Sequence, residues 1–444
     1  MLVLRNVRPW GGVRIDVGLA DGRIVAMGHD LPSGEDELDG RGGTLLPGLH
    51  DHHLHILALA ARRHSVDLSG VTDPELIAAR LRASPEPFVR STGYDERSAG
   101  LPDRTLLDLW LPDRPLKVQD RTGALWILNS AALAGLPEDG LPSGAERDGQ
   151  GRLTGRFWRE DQWLRSALPK RYPDLVGLGC DLAAMGLTSL TDATAHNGPS
   201  EACALAGVLP QRLTLMGSEA LEQGAGYTLG PLKLLVDERD PPSIDQLSSR
   251  ILFARGKGRN VAAHCVTEGE LAIYLAALQA SGGARKGDRI EHGAIIQDSF
   301  ISLVAQAGLL VVTNPSFLHD RGDRYLDQLD DTEDLYRIRS LQRAGIPVVA
   351  GSDAPYAAVD PWLGMRSARD RLTARGALIG VDERIPGLAA LQMYCCGDIK
   401  LGTKADLILC EGSLDQIIAD LDARHVQNTF IAGKLAYTAP ACDG

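Results

Sequence analysis

Short apolar runs recur along the middle of the chain, separated by stretches of helical periodicity, as expected for parallel strands joined by crossover helices. Eight stand out, at 45–55, 187–192, 212–216, 232–237, 260–265, 289–294, 309–314 and 347–352. From the second to the eighth they follow one another at roughly 30-residue intervals, the repeat of a closed (β/α)8 barrel. The first and second lie about 130 residues apart, so the same spacing predicts an insertion of roughly 100 residues after the first strand. The two ends have a different texture. Runs at 2–7, 13–19 and 23–27, with the turn Asp21-Gly22, and runs at 405–410, 428–431 and 435–437, with the turn Ala432-Gly433-Lys434, read as short strands. The expected architecture is α/β: a barrel over 46–397, a small β-sandwich built from 1–45 and 398–444, and an inserted segment over 59–178. Strands at 88–94 and 116–119 and a helix at 129–133 are expected inside that insertion. Because it leaves the C-terminal end of a barrel strand, where catalytic loops sit, it is expected to act as a lid that shapes the substrate pocket.

Composition narrows the field. A hydrophobic share of 44% with 23% charged residues is ordinary for a globular chain. A net charge of -12 argues against nucleic acid as a partner, since a polyanion demands a dense basic surface. No window approaches the length of a membrane span, and Met1 leads straight into a strand-like Leu-Val-Leu, so a soluble, cytoplasmic protein is expected. The seven cysteines are scattered, without a Cys-x-x-Cys pair, which fits reduced thiols. Adjacent Cys395 and Cys396 read as core packing, with redox activity as the alternative.

The chemistry concentrates at strand ends. In Leu46–His55 the period of two places His53 and His55 on one face, able to hold one divalent metal, with Asp51 on that face as an orienting group and His50 and His52 as supports. Lys233, His264, His292 and Asp353 follow at the ends of later strands, one, one and two barrel repeats apart, so all are expected at the same mouth. Asp353, in Gly-Ser-Asp-Ala-Pro, can bind metal and carry a proton from water to a leaving group; a turn aspartate capping the next helix is the bland alternative. Glu291 and His292 are adjacent and should point to opposite faces, so Glu291 does not serve as the second-nitrogen partner of His292. Lys233 stands in an apolar strand, where desolvation lowers the pKa of its amine. A neutral amine can add carbon dioxide and give a carbamate able to bridge two metals; a lysine snorkelling outward is the competing reading.

This constellation resembles the amidohydrolase superfamily of metal-dependent barrel hydrolases. The superfamily's Pro-Gly-x-x-Asp-x-His-x-His is matched from Pro47 to His55, its fifth- and sixth-strand histidines by His264 and His292, and its last-strand aspartate by Asp353. By strand count Lys233 corresponds to the superfamily's bridging carboxylated lysine. Gly93-Tyr94-Asp95-Glu96, the run Gly123 to Ser130 and Gly351 to Pro355 are similar to the branch that holds the N-substituted formamide deformylases. Two departures stand out: Ala124 where that branch usually carries His, and a shortened segment before Gly402.

The resemblance implies hydrolysis of an amide-type carbon-nitrogen bond in a small molecule by metal-activated water. His53 and His55 would hold one metal, His264 and His292 a second, carboxylated Lys233 would bridge them, and Asp353 would sit on the first. Two zinc ions are expected, with iron, manganese or nickel as alternatives. Tyr94, Arg121, Trp126, Trp158 and Tyr356, with Phe157 and Arg159 beside them, are candidate substrate contacts, or equally packing residues of the lid. A mononuclear deaminase of a heterocycle, with His292 on the substrate, and a barrel that binds small molecules without turnover are the rival functions. Homo-oligomerisation is compatible with such a barrel.

Overall fold

The computed structural model describes residues 1–137, 139–168, 173–238 and 240–440. Cys442 and the end of the expected C-terminal segment lie outside the described residues. Two compact units are present, one made of residues 1–56 and 175–444, the other of residues 57–174.

In the first unit eight parallel strands follow one another in a single sheet: β1 (Leu49–Leu54), β2 (Leu187–Asp192), β3 (Arg212–Gly217), β4 (Thr228–Leu234), β5 (Val261–Cys265), β6 (Arg289–His292), β7 (Leu310–Thr313) and β8 (Val348–Ala350). Each pairs in parallel with the next. Beyond the end of β8 the chain meets β1 again: Asp353 N–H donates to the His53 carbonyl at 2.7 Å and His55 N–H to the Ala354 carbonyl at 2.8 Å. The sheet is thereby a nearly closed barrel.

Strand parity then sorts the side chains. Leu232, Leu234, Val261, Ala263, Cys265, Ile290 and Val311 share one buried cluster with Leu247 and Ile251 of the helix Ile244–Gly256 and with Leu271 and Tyr274 of the helix Glu268–Ala280. These alternate positions face the outer helices, so the intervening Lys233, Ala262, His264 and Glu291 face the barrel interior. Both helices begin at capping boxes, Ser243 with Gln246 and Thr267 with Glu270, which satisfy backbone N–H groups that a helix start would otherwise leave unpaired.

One expected strand proves to be two. The run 45–55 divides at Gly48 into Thr44–Pro47 and β1, which lie in different sheets. A β-carbon at Gly48 would stand 2.2 Å from Thr188 Oγ1, so only glycine fits where the chain passes between the sheets. Thr44–Pro47 pairs antiparallel with Leu407–Cys410 and parallel with Leu2–Pro9, so strands from both ends of the chain share one sheet. Two of its hairpins turn on Asp21-Gly22 and Ala432-Gly433, with positive φ at both turn residues in each case, as tight two-residue connections demand. Cys396 N–H donates to the Gly48 carbonyl, and its thiol lies 3.4 Å from Thr188 Oγ1. All six described cysteines are free thiols. No helix among the described residues is long and apolar enough to cross a membrane.

The second unit is built on a six-stranded sheet. Its strand order runs Ala145–Arg147, Leu153–Trp158, Leu125–Leu128, Leu116–Asp120, Val89–Tyr94 and Val66–Asp67. The helices Pro74–Ala83 and Arg104–Trp110 contribute Ile77, Leu81, Leu107 and Trp110 to a core shared with Val89, Leu116 and Val118. Asn129 caps the short helix Ser130–Leu133, and its side chain also accepts from Leu116 N–H.

Candidate metal centre

The ends of β1 and β8 bring three candidate ligands together. One ligand atom each from His53, His55 and Asp353 lies within 4.8 Å of the others. Asp353 Oδ1 is 3.1 Å from His55 Nε2 and 3.5 Å from His53 Nε2. Close approach of the two strands makes this possible: a β-carbon at Gly351 would stand 2.4 Å from His53 N. Asp51 reinforces the junction, accepting from both His53 N–H at 3.1 Å and Ser352 N–H at 2.9 Å. Its role as an orienting group is therefore to fix backbone, and the His53 ring takes its partner from elsewhere.

That partner is Glu291, from the far side of the barrel. His53 Nδ1 donates to Glu291 Oε2. Arg289 grips the same carboxylate through Nε at 2.6 Å and Nη2 at 3.0 Å, and Nη2 also reaches the His52 carbonyl at 2.8 Å. Burial alone would raise the Glu291 pKa, but Arg289, Lys233 and His53 hold it well below the usual carboxylate range. An ionised carboxylate only accepts, so the proton sits on His53 Nδ1 and the Nε2 lone pair faces Asp353.

Glu291 and His292 both reach the interior although they are neighbours on a strand. His292 has φ +70°, in the left-handed region, which ends the strand's alternation and turns the imidazole inward. Its ring centroid lies 4.7 Å from that of His53 and 4.5 Å from that of His264. Asn314 just beyond β7 donates Nδ2 to the Gly351 carbonyl, which leaves its Oδ1 to accept from His292 Nδ1 at 2.8 Å. His292 Nε2 therefore also keeps its lone pair. His55 Nδ1 is bound to Thr194 Oγ1 at 2.8 Å. His264 lies 4.0 Å from Glu270 Oε2 and is the most exposed of these imidazoles.

Lys233 is almost completely buried, and its Nζ has no hydrogen-bond partner among the described residues. Desolvation lowers its pKa. The donor set fits a cation: two imidazoles and a carboxylate oxygen converge within 4.8 Å, and an orphaned buried amine stands nearby. Burial pushes the Asp353 carboxyl up, but the hydrogen bond with His55 and the adjacent His292 and His53 outweigh it and hold Asp353 ionised.

Burial lowers the pKa of His53 from 6.5 to about 4 and of His50 from 6.5 to about 3, and also lowers His52, His264 and His292. Between these folded values and 6.5 the unfolded chain binds more protons than the folded one, so stability falls as pH falls. Asp51 acts oppositely, its pKa raised by burial from 3.8 to about 6, but it is one group against five. Thermal unfolding of metal-free protein should show a Tm that drops steadily from pH 6.5 to 4; a flat Tm across that window contradicts the assignment.

The expected substrate contacts are placed as follows. Tyr356 is exposed, with its ring edge-on to His55 at 5.5 Å between centroids. The others belong to the second unit. Tyr94 is buried, its hydroxyl donating to the Gly100 carbonyl, and Trp126 is buried beside Leu128 and Phe157, with its indole N–H on Asp161. Arg121 lies 3.5 Å from Asp95, and Trp158 donates to Glu146. Tyr94, Arg121 and Trp158 line one cavity of about 170 Å³ within this unit. Arg159 has φ +58° and pairs its N–H with the Ala124 carbonyl.

The family profile described as "Amidohydrolase family" matches residues 36–437. The chain is 26% identical to YtcJ of Bacillus subtilis, named as an amidohydrolase, over 90% of each chain. It is also 26% identical to the N-substituted formamide deformylase of Arthrobacter pascens, over 94% of each. Among solved structures, a metal-dependent hydrolase from Pyrococcus furiosus superposes with a TM-score of 0.76 at 19% identity, covering 93% of this chain and 99% of that one. The chain belongs to the amidohydrolase family.

Proposed function

We propose that the protein cleaves an N-acyl, N-formyl or cyclic amide with a water molecule activated at the mouth of the barrel. The convergence of His53, His55 and Asp353 carries this reading. These three would hold a first divalent metal, and His264 and His292 a second, with zinc the expected element. A divalent metal bound there supplies the charge that acidifies water and polarises the amide carbonyl.

The chain's own residues do the rest. Glu291 and Asn314 keep Nδ1 of His53 and His292 protonated, so both rings present Nε2. Asp353 turns Oδ1 to the histidine pair and leaves Oδ2, 3.9 Å from His292 Nδ1, to take the proton of the attacking water and pass it to the leaving nitrogen. Lys233, buried and orphaned, is suited to carboxylation: its neutral amine adds to carbon dioxide with loss of a proton, and the resulting carbamate would bridge the two metals. The relation to the formamide deformylase supports an N-formyl compound as the first substrate to try.

A mononuclear deaminase is the second reading, because the tight ligand group contains three residues and leaves His264 and His292 outside it. A panel of N-formyl amines, N-acyl amines, cyclic amides and aminated heterocycles separates the two. Release of a primary amine or ring-opened acid supports the proposal, and ammonia released from a heterocycle favours the deaminase. Ligand binding with no turnover across the panel would overturn both in favour of a barrel that only binds.

A further inference from the structure

After β7 the chain turns through Asn314-Pro315 into the helix Ser316–Gln328, at the barrel end that carries the candidate centre. This helix is tied to the segments that follow Asp353 and Arg371. Asp320 Oδ2 accepts from Ala358 N–H at 2.8 Å, Asp323 accepts from Thr373 Oγ1 at 2.7 Å and Arg375 N–H at 3.2 Å, and a β-carbon at Gly322 would stand 2.6 Å from Thr373. Within this docked face Arg321 is unusual. Its guanidinium lies over the Phe317 ring, 4.2 Å from the centroid, and its Nη2 donates to the Tyr356 carbonyl at 3.1 Å.

The plane of the guanidinium is thus fixed on one side by an aromatic ring and at one corner by a carbonyl. No carboxylate among the described residues lies within ion-pair distance of it, and the neighbouring acids Asp320 and Asp323 are used on backbone amides and a hydroxyl. A guanidinium has five N–H donors, and only one is engaged by a hydrogen bond from the described residues. Tyr356, whose carbonyl Arg321 holds, donates its own N–H to the Asp353 carbonyl at 2.9 Å and sets its ring edge-on to His55. A cation held in place, with no counter-ion among the described residues, therefore stands one short turn of chain from two residues of the candidate centre. Its planar fork matches a carboxylate better than any neutral group.

We propose that Arg321 binds an anionic group of the substrate, so that the compound hydrolysed is an amide carrying a carboxylate close to the scissile carbon-nitrogen bond. The inference rests on the hydrolase reading above and names the substrate class of that same site. If Arg321 served only to hold the Tyr356 loop, its loss would affect charged and neutral substrates alike.

The test pairs N-formyl and N-acetyl amino acids with their neutral carboxamides. The wild-type protein should prefer the acid by about 10–100-fold in kcat/KM, the worth of a charge-assisted hydrogen-bonded pair. Arg321→Gln should collapse that ratio toward one, mainly through KM for the acid, and Arg321→Lys should retain part of it. An equal ratio in wild type and Arg321→Gln, or no preference in the wild type, overturns the inference while leaving the hydrolase reading intact. Turnover of neither member of any pair counts against the hydrolase reading. Calorimetric titration with an N-acetyl amino acid then decides the role of Arg321: binding lost in Arg321→Gln supports it, and binding that is equal or absent in both proteins overturns it.

Discussion

Asp353→Asn should lower kcat/KM by about 10²–10⁴-fold, the usual contribution of a positioned proton carrier, while leaving the protein folded. The substitution is isosteric, and the backbone bond from residue 353 to the His53 carbonyl, which helps close the barrel, does not depend on the side chain. What disappears is the charge. Asp353 is held ionised by His55, His292 and His53, and an amide in its place can neither take a proton from water nor balance a cation beside His53 and His55. The loss should fall on kcat more than on KM. An Asp353→Asn protein with wild-type kcat would remove Asp353 from the chemistry and leave it as a turn residue.

Glu291→Gln should act through His53 without touching substrate. Glutamine has the same shape, but its amide can satisfy Arg289 with oxygen only by turning its NH2 toward His53 Nδ1. His53 would then have to accept at Nδ1 and carry its proton on Nε2, the nitrogen that faces Asp353. Metal affinity should fall by about 10–100-fold, as for the loss of other carboxylates behind metal-binding histidines. Stability should fall as well, by about 3–5 kcal/mol, because the buried Arg289 loses its counter-charge. Competition with a chelating indicator measures the first and denaturant unfolding of the metal-free protein the second. A Glu291→Gln protein that unfolds as the wild type does and binds metal equally well would show that the cross-barrel contact positions nothing.

The parts legible in the sequence are those that spacing alone determines. His53 and His55 share a face because they are two apart, and Lys233, His264, His292 and Asp353 fall at one barrel end because they recur with the strand repeat. The break at Gly48 was hidden, since the apolar run continues across it and only the proximity of Thr188 demands glycine there. Glu291 was hidden for a different reason. Parity assigns it and His292 to opposite faces, and the left-handed backbone at His292 that brings both inward leaves no mark in Arg-Ile-Glu-His-Gly beyond the glycine that follows. Asn314 and Thr194 each lie just beyond a strand, where a side chain's partner depends on the neighbouring strand and not on sequence distance. In the second unit Leu125–Leu128 is buried at every position, so it shows no alternation from which to read a strand.

Metal content measured together with activity tests the central claim most directly. The protein, purified without added chelator and analysed by elemental mass spectrometry, should carry about two equivalents of a divalent metal, with zinc expected, and lose turnover on chelation as the two ligand pairs and Lys233 would require. Turnover should return on adding the metal back. Full activity in protein shown to be free of metal would contradict the account.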